Sequence, residues 1–146
     1  MQVPFCRINC DGNELKYVRE VLDSGWLTTA SKTKAFEDKF AEKIGAKHAL
    51  AVNSCTAALH LALESFGLGR GDKVLVPAMT FTASAEVIRY FDADPVFLDV
   101  EYGTNLLTAD IVSKALSEHP DAKALVVVHY GGQAANMVNN GKGIWE

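Results

Sequence analysis

The apolar positions of this chain switch between two periods, and the switches divide it into alternating elements. Glu14 to Leu22 places Leu15, Val18, Val21 and Leu22 on one stripe, which predicts a helix, and Ser24-Gly25 ends it. Trp26 to Ser31 (WLTTAS) is a polar loop with an aromatic anchor. Lys34 to Ile44 predicts a second helix, with Phe36, Phe40 and Ile44 four apart and Gly45 closing it. His48 to Val52 (HALAV) is a short apolar run that predicts a strand. Ser54 stands where a helix cap should be, ahead of a helix from Thr56 to Phe66. Lys73 to Val76 predicts the next strand, stopped by Pro77, and Thr80 to Phe91 a helix. Asp94-Pro95 leads into a strand at Val96 to Leu98, and Thr108 caps a helix reaching about Ser117. Ala124 to Val128 (ALVVV) predicts a fourth strand.

Strands apolar on both faces and alternating with helices imply a parallel sheet covered on two sides. The fold class is therefore α/β. The expected organisation is an N-terminal helical arm over 1–46 and an α/β domain over 47–136. The last stretch, 137–146 (MVNNGKGIWE), carries neither a strand nor a long helical stripe and reads as an aberrant tail.

Composition narrows the function classes. The chain has 146 residues, 49% hydrophobic and 22% charged, enough for one domain with a sizeable core. A net charge of −4 gives no reason to expect nucleic acid or an anionic membrane as partner. The N-terminus lacks the basic and apolar regions of a signal peptide, and no apolar run approaches the ~20 residues of a membrane span. Cys6, Cys10 and Cys55 are too few and too sparse for a disulfide scaffold, which fits a reducing, cytoplasmic setting. Cys6 and Cys10 lack the second pair or nearby His that a zinc site needs, so they read as free thiols and no metal is expected.

Three segments carry candidate chemistry. Asn53-Ser54-Cys55-Thr56-Ala57 opens a helix, where unpaired N–H groups, small residues and hydroxyls can meet an anion. The competing reading is that Ser54 and Thr56 only cap that helix. Pro77 to Ser84 follows a strand, on the side where open α/β sheets bind ligands; Phe81 offers an aromatic face to a planar ligand, or else fills the core. His129-Tyr130-Gly131-Gly132-Gln133 leaves the fourth strand with polar groups at the same end, where His129 serves either structure or chemistry. No G-x-G-x-x-G or G-x-x-x-x-G-K-[ST] follows the first strand, which argues against an unrelated flavodoxin-like or Rossmann-like module.

Order and spacing make these segments more specific together than singly. From Gly25 to Met137, through GWLTTASKTKAFEDKFAEKIGAKHALAVNSCTAALHLAL, GLGRGDKVLVPAMTFTASAEVIRYFDADPVFLDV and ALVVVHYGGQAANM, the chain resembles the DegT/DnrJ/EryC1/StrS aminotransferases. The resemblance implies the large domain of the aspartate-aminotransferase fold, here in part, with about four mainly parallel strands. It implies pyridoxal phosphate as cofactor and a homodimer that aminates nucleotide-linked keto-sugars from an amino-acid donor. Cys55, Thr56 and Ala57 match the turn that holds the cofactor phosphate, with Cys55 where many relatives have Gly. Phe81 matches the residue stacked on the pyridine ring, and Trp26 to Thr29 a loop near the substrate side. Gln133 matches a recurrent motif without an assigned role.

The family's pyridine-nitrogen acid and Schiff-base lysine follow the matched segment, and Lys142 lacks the expected Ser/Thr-rich context. No catalytic residue is therefore expected within these 146 residues. The expectation is a truncated or partial aminotransferase, inactive alone. The alternative is a non-enzymatic binding or self-assembly module derived from an aminotransferase gene fragment, for instance on a gene cassette. Without later strands, the run His48 to Val52 is expected either to pair with Ala124 to Val128 or to leave a sheet edge open.

Overall fold

A computed structural model describes residue 4 and residues 6–137. The expected tail beyond Met137, including Lys142, lies outside the described residues. The chain divides into two compact units, Met1–Ala51 and Val52–Glu146.

In the first unit, α1 spans Glu14–Ser24 and α2 spans Ser31–Ile44. Gly25 ends α1 in the left-handed conformation (φ 70°), its N–H donating to the Leu22 carbonyl, a geometry that costs a Cβ-bearing residue more. α2 begins three residues earlier than the stripe Phe36–Phe40–Ile44 predicts, because the polar first turn belongs to the helix: the Lys34 N–H already bonds the Ala30 carbonyl. Lys32 joins the helices, pairing with Glu20 and lying 4.8 Å from the centre of the Tyr17 ring.

The run His48 to Val52 forms no strand. A strand needs a ladder, and among the described residues no strand pairs with it; the Ala51 N–H instead donates to Glu37 Oε1 of α2 at 2.9 Å, and Leu50 is 75% exposed. The expected pairing of this run with the later strand is therefore absent among the described residues, where the sheet ends at the strand Ala122–Leu125.

Among the described residues the second unit holds a parallel sheet of three strands, one fewer than expected, in the order β2-β1-β3. Its elements are α3 (Cys55–Ser65), β1 (Lys73–Pro77), α4 (Ala83–Arg89), β2 (Asp94–Leu98), α5 (Ala109–Glu118) and β3 (Ala122–Leu125). Side chains alternate across β1 and build a core on each face. Val74 and Val76 join Leu63 of α3 and Val87 and Ile88 of α4. Leu75 joins Leu98, Leu107 and, from α5, Val112 and Ala115. His60 of α3 meets the Tyr90 and Phe91 rings edge-on, 5.2 Å from each. Thr108 caps α5 as expected, accepting from the Ile111 N–H.

β3 begins and ends earlier than ALVVV predicts. The Val126 N–H still donates to the Leu75 carbonyl at 2.8 Å, but the next rung would need an N–H from Pro77, which has none. At the other end an irregularity between Lys73 and Val74 leaves Lys123 unpaired in the ladder. Its ammonium reaches Asp72, while Lys73 reaches Asp121, so two reciprocal ion pairs clasp β1 and β3. The Lys123 ammonium, with the Gly69 N–H, holds the Asp72 carboxyl below its ordinary value, and Lys73 does the same for Asp121.

Candidate functional site

α3 starts where the chain, still extended at Ser54, turns helical. The Ser54 hydroxyl accepts from the Ala57 N–H at 3.1 Å, and the Ser54 carbonyl from the Ala58 N–H at 3.1 Å. The first-turn donors left over are the N–H groups of Cys55 and Thr56, and Thr56 also carries a hydroxyl. Cys55 is exposed, and Thr56 and Ala57 are half-buried. No lysine or arginine occurs in 53–57 or 78–84, so an anion here would be met by backbone dipoles and hydroxyls. These residues fit a phosphate through the Cys55 and Thr56 amides. The Ala57 amide is already engaged by the cap.

Phe81 comes to the same end of the sheet by connectivity. After α3 the chain reverses through Phe66–Asp72 and runs up β1, so the start of α3 and the end of β1 face the same side. The helix expected from Thr80 begins only at Ala83, and the residues before it form a tied turn. The Ala78 N–H donates to the Leu98 carbonyl of β2 at 2.8 Å, and the Ser84 N–H to the Phe81 carbonyl at 3.0 Å. Phe81 is 78% exposed and is not a core residue. A groove of about 410 Å³ adjoins the turn, lined by Thr80, Thr82, Glu86, Arg89 and Phe97 among others.

The third segment leaves β3 at the same end. His129 Nδ1 accepts from the Ala135 N–H at 3.0 Å and closes the loop between them, in which Gly131 and Gly132 take positive φ (64° and 79°). His129 therefore has a structural bond, as an acceptor. Gln133 and Asn136 line a cavity of about 400 Å³ with Glu101, Thr104, Thr108 and Asp110.

Trp26 to Thr29 lies in the first unit. The Trp26 indole N–H donates to the Thr29 carbonyl at 3.3 Å and its backbone N–H to Ser24 Oγ at 3.2 Å, so the loop is self-bonded with the ring exposed.

One pairing escapes a reading of the sequence. The hydroxyls of Thr80 and Ser84 lie 2.8 Å apart across the Phe81 turn, and Ser84 is buried at 6% exposure. The only signal is a Thr and a Ser four apart at the start of a helix, which ordinary capping also produces.

Comparison with known proteins identifies the family. The profile of the DegT/DnrJ/EryC1/StrS aminotransferase family matches residues 9–141. The spore coat polysaccharide biosynthesis protein SpsC of Bacillus subtilis is 47% identical over 124 residues, 85% of this chain and 31% of SpsC. Spr1654 of Streptococcus pneumoniae, assigned as a sugar aminotransferase and solved in PMP and PLP forms, superposes with a TM-score of 0.84 at 34% identity. That match covers 93% of this chain and 34% of Spr1654. The aminotransferase TlmJ of Streptoalloteichus hindustanus is 42% identical with a TM-score of 0.74, over 84% of this chain and 34% of its own. The chain thus spans about a third of the length of these relatives. By profile, sequence and fold, the chain belongs to the DegT/DnrJ/EryC1/StrS aminotransferase family.

Proposed function

We propose that this chain supplies the phosphate-binding and ring-stacking part of a pyridoxal-phosphate-dependent sugar aminotransferase. The observation that carries the reading is the pairing, at one end of the sheet, of unspent α3 donors with the exposed ring of Phe81. The Cys55 and Thr56 amides and the Thr56 hydroxyl would hold the phosphate, and Phe81 would cover one face of the pyridine ring. Bound pyridoxal phosphate supplies an electron sink that lets an amino group pass between an amino acid and a keto-sugar.

A nucleotide-linked keto-sugar is the substrate class that the family resemblance implies, and a homodimer the working form. A polypeptide of these 146 residues binds cofactor without transaminating, because the acid and lysine that the family resemblance implies follow the matched segment. Exposed apolar side chains on α1 and α2, Leu15 and Phe36 among them, favour a second reading in which the chain is a self-assembling module.

Equilibrium dialysis with pyridoxamine phosphate separates the two, since the amine form cannot react with surface lysines. Saturable binding, weakened about tenfold or more by Thr56→Ala and by Phe81→Ala, is the expected result. Absence of binding, with a stable oligomer by sedimentation, would establish the assembly reading.

A further inference from the structure

The Phe81 turn contains a polar bond that fold stability does not call for. Ser84 faces the core on α4 with Ala83, Val87 and Ile88, which are also buried. A buried hydroxyl must find a partner, and Ser84 finds one in Thr80 Oγ1 at 2.8 Å. Alanine at 84 with valine at 80 would remove both hydroxyls at little net cost, since deleting a matched polar pair is nearly neutral. What the pair adds is geometric. It links residues 80 and 84 across Phe81 while the Phe81 carbonyl accepts from the Ser84 N–H and the Ala78 N–H ties the start of the turn to β2. Phe81, a residue 78% exposed, lacks the packing that would otherwise fix its direction.

We propose that Thr80 and Ser84 are positioning residues. Their hydroxyl bond pre-orders the turn so that the Phe81 ring is held ready to stack on a planar aromatic ligand. The inference rests on the reading of Phe81 as the ring-stacking residue. In energetic terms, ordering completed on folding is not charged against binding.

The test uses the full chain with Thr80→Val/Ser84→Ala, and Thr80→Ser as the conservative variant that keeps a hydroxyl. Three quantities are read: melting temperature, mobility of the Phe81 ring by carbon relaxation in phenylalanine-labelled protein, and pyridoxamine phosphate affinity by dialysis. The double variant should melt within a few degrees of wild type, show a more mobile Phe81 ring and bind about tenfold more weakly. Thr80→Ser should restore ring order and affinity together. A ring equally ordered in the double variant overturns the proposal, as does a mobile ring with unchanged affinity. Should the wild type bind no pyridoxamine phosphate, the cofactor reading fails on its own. Ring order then decides the positioning role separately, read with and without the hydroxyl pair.

Discussion

Ser54 commits its hydroxyl to the Ala57 N–H, and that one bond decides which α3 donors remain for a ligand. The two duties can be separated. Aspartate caps a helix as well as serine does, but its carboxylate would sit among donors meant for a phosphate. Ser54→Asp should leave the melting temperature within a few degrees of wild type while pyridoxamine phosphate binding falls at least about tenfold. Ser54→Ala should do the reverse in kind, lowering stability by about 1 kcal/mol with a smaller effect on binding. Equal losses of binding in both would mean that the cap, and not the charge, governs the site. The cap was legible in the sequence because a Ser ahead of a helical stripe has few other uses. The exposure of Phe81 was not, since an aromatic at a helix start serves a core equally well; the Thr80–Ser84 bond that shapes its turn joins side chains whose spacing is ambiguous.

At the scale of elements, helices were more legible than strands, and the reason is local. α1, α2, α3 and α5 announce themselves by their own periodicity and end residues. A strand exists only through its neighbours. HALAV has a strand's composition but no ladder, and ALVVV is cut short by Pro77 on the strand beside it. The clasp between β1 and β3 is likewise invisible until the strands are paired, because Asp72 and Lys123 are 51 residues apart. It yields a signed prediction. Asp72 and Asp121 both have their carboxyl pKa lowered by folding, so their stabilisation is present above the unfolded value and is lost as pH falls through the lower folded one. Between about pH 4 and pH 2 the wild type should lose melting temperature faster than Asp72→Asn/Asp121→Asn. The difference should be small, as both pairs meet water, and should shrink in about 1 M salt, where the screening length is about 3 Å. Parallel melting curves for the two proteins across that range would show that the clasp orients the strands without stabilising them.

Over the whole molecule, burial is distributed unevenly between the two units. Both core clusters lie in the second unit, whereas Ala41 is the only buried residue of the first among those described. In the first unit Leu15, Val18, Leu22, Phe36, Phe40 and Ile44 are all exposed, and α1 with α2 lines a groove of about 540 Å³. Local opening is governed by buried apolar area, so the helices of the first unit should open at far lower cost than the sheet. Trypsin reports this directly, because both units carry its sites. Cleavage should come first at Lys16, Lys34, Lys39, Lys43 and Lys47, leaving a resistant product that begins at His48. Lys73 and Lys123, each held in an ion pair at the edge of the second unit's core, should be cut more slowly by about tenfold or more. Cleavage of both groups at one rate would mean that the chain opens as a single cooperative body. Protection of the first unit would mean that its apolar faces are covered in solution. Sedimentation at the same concentration would then show whether a second copy covers them, since protection by self-association must fade on dilution.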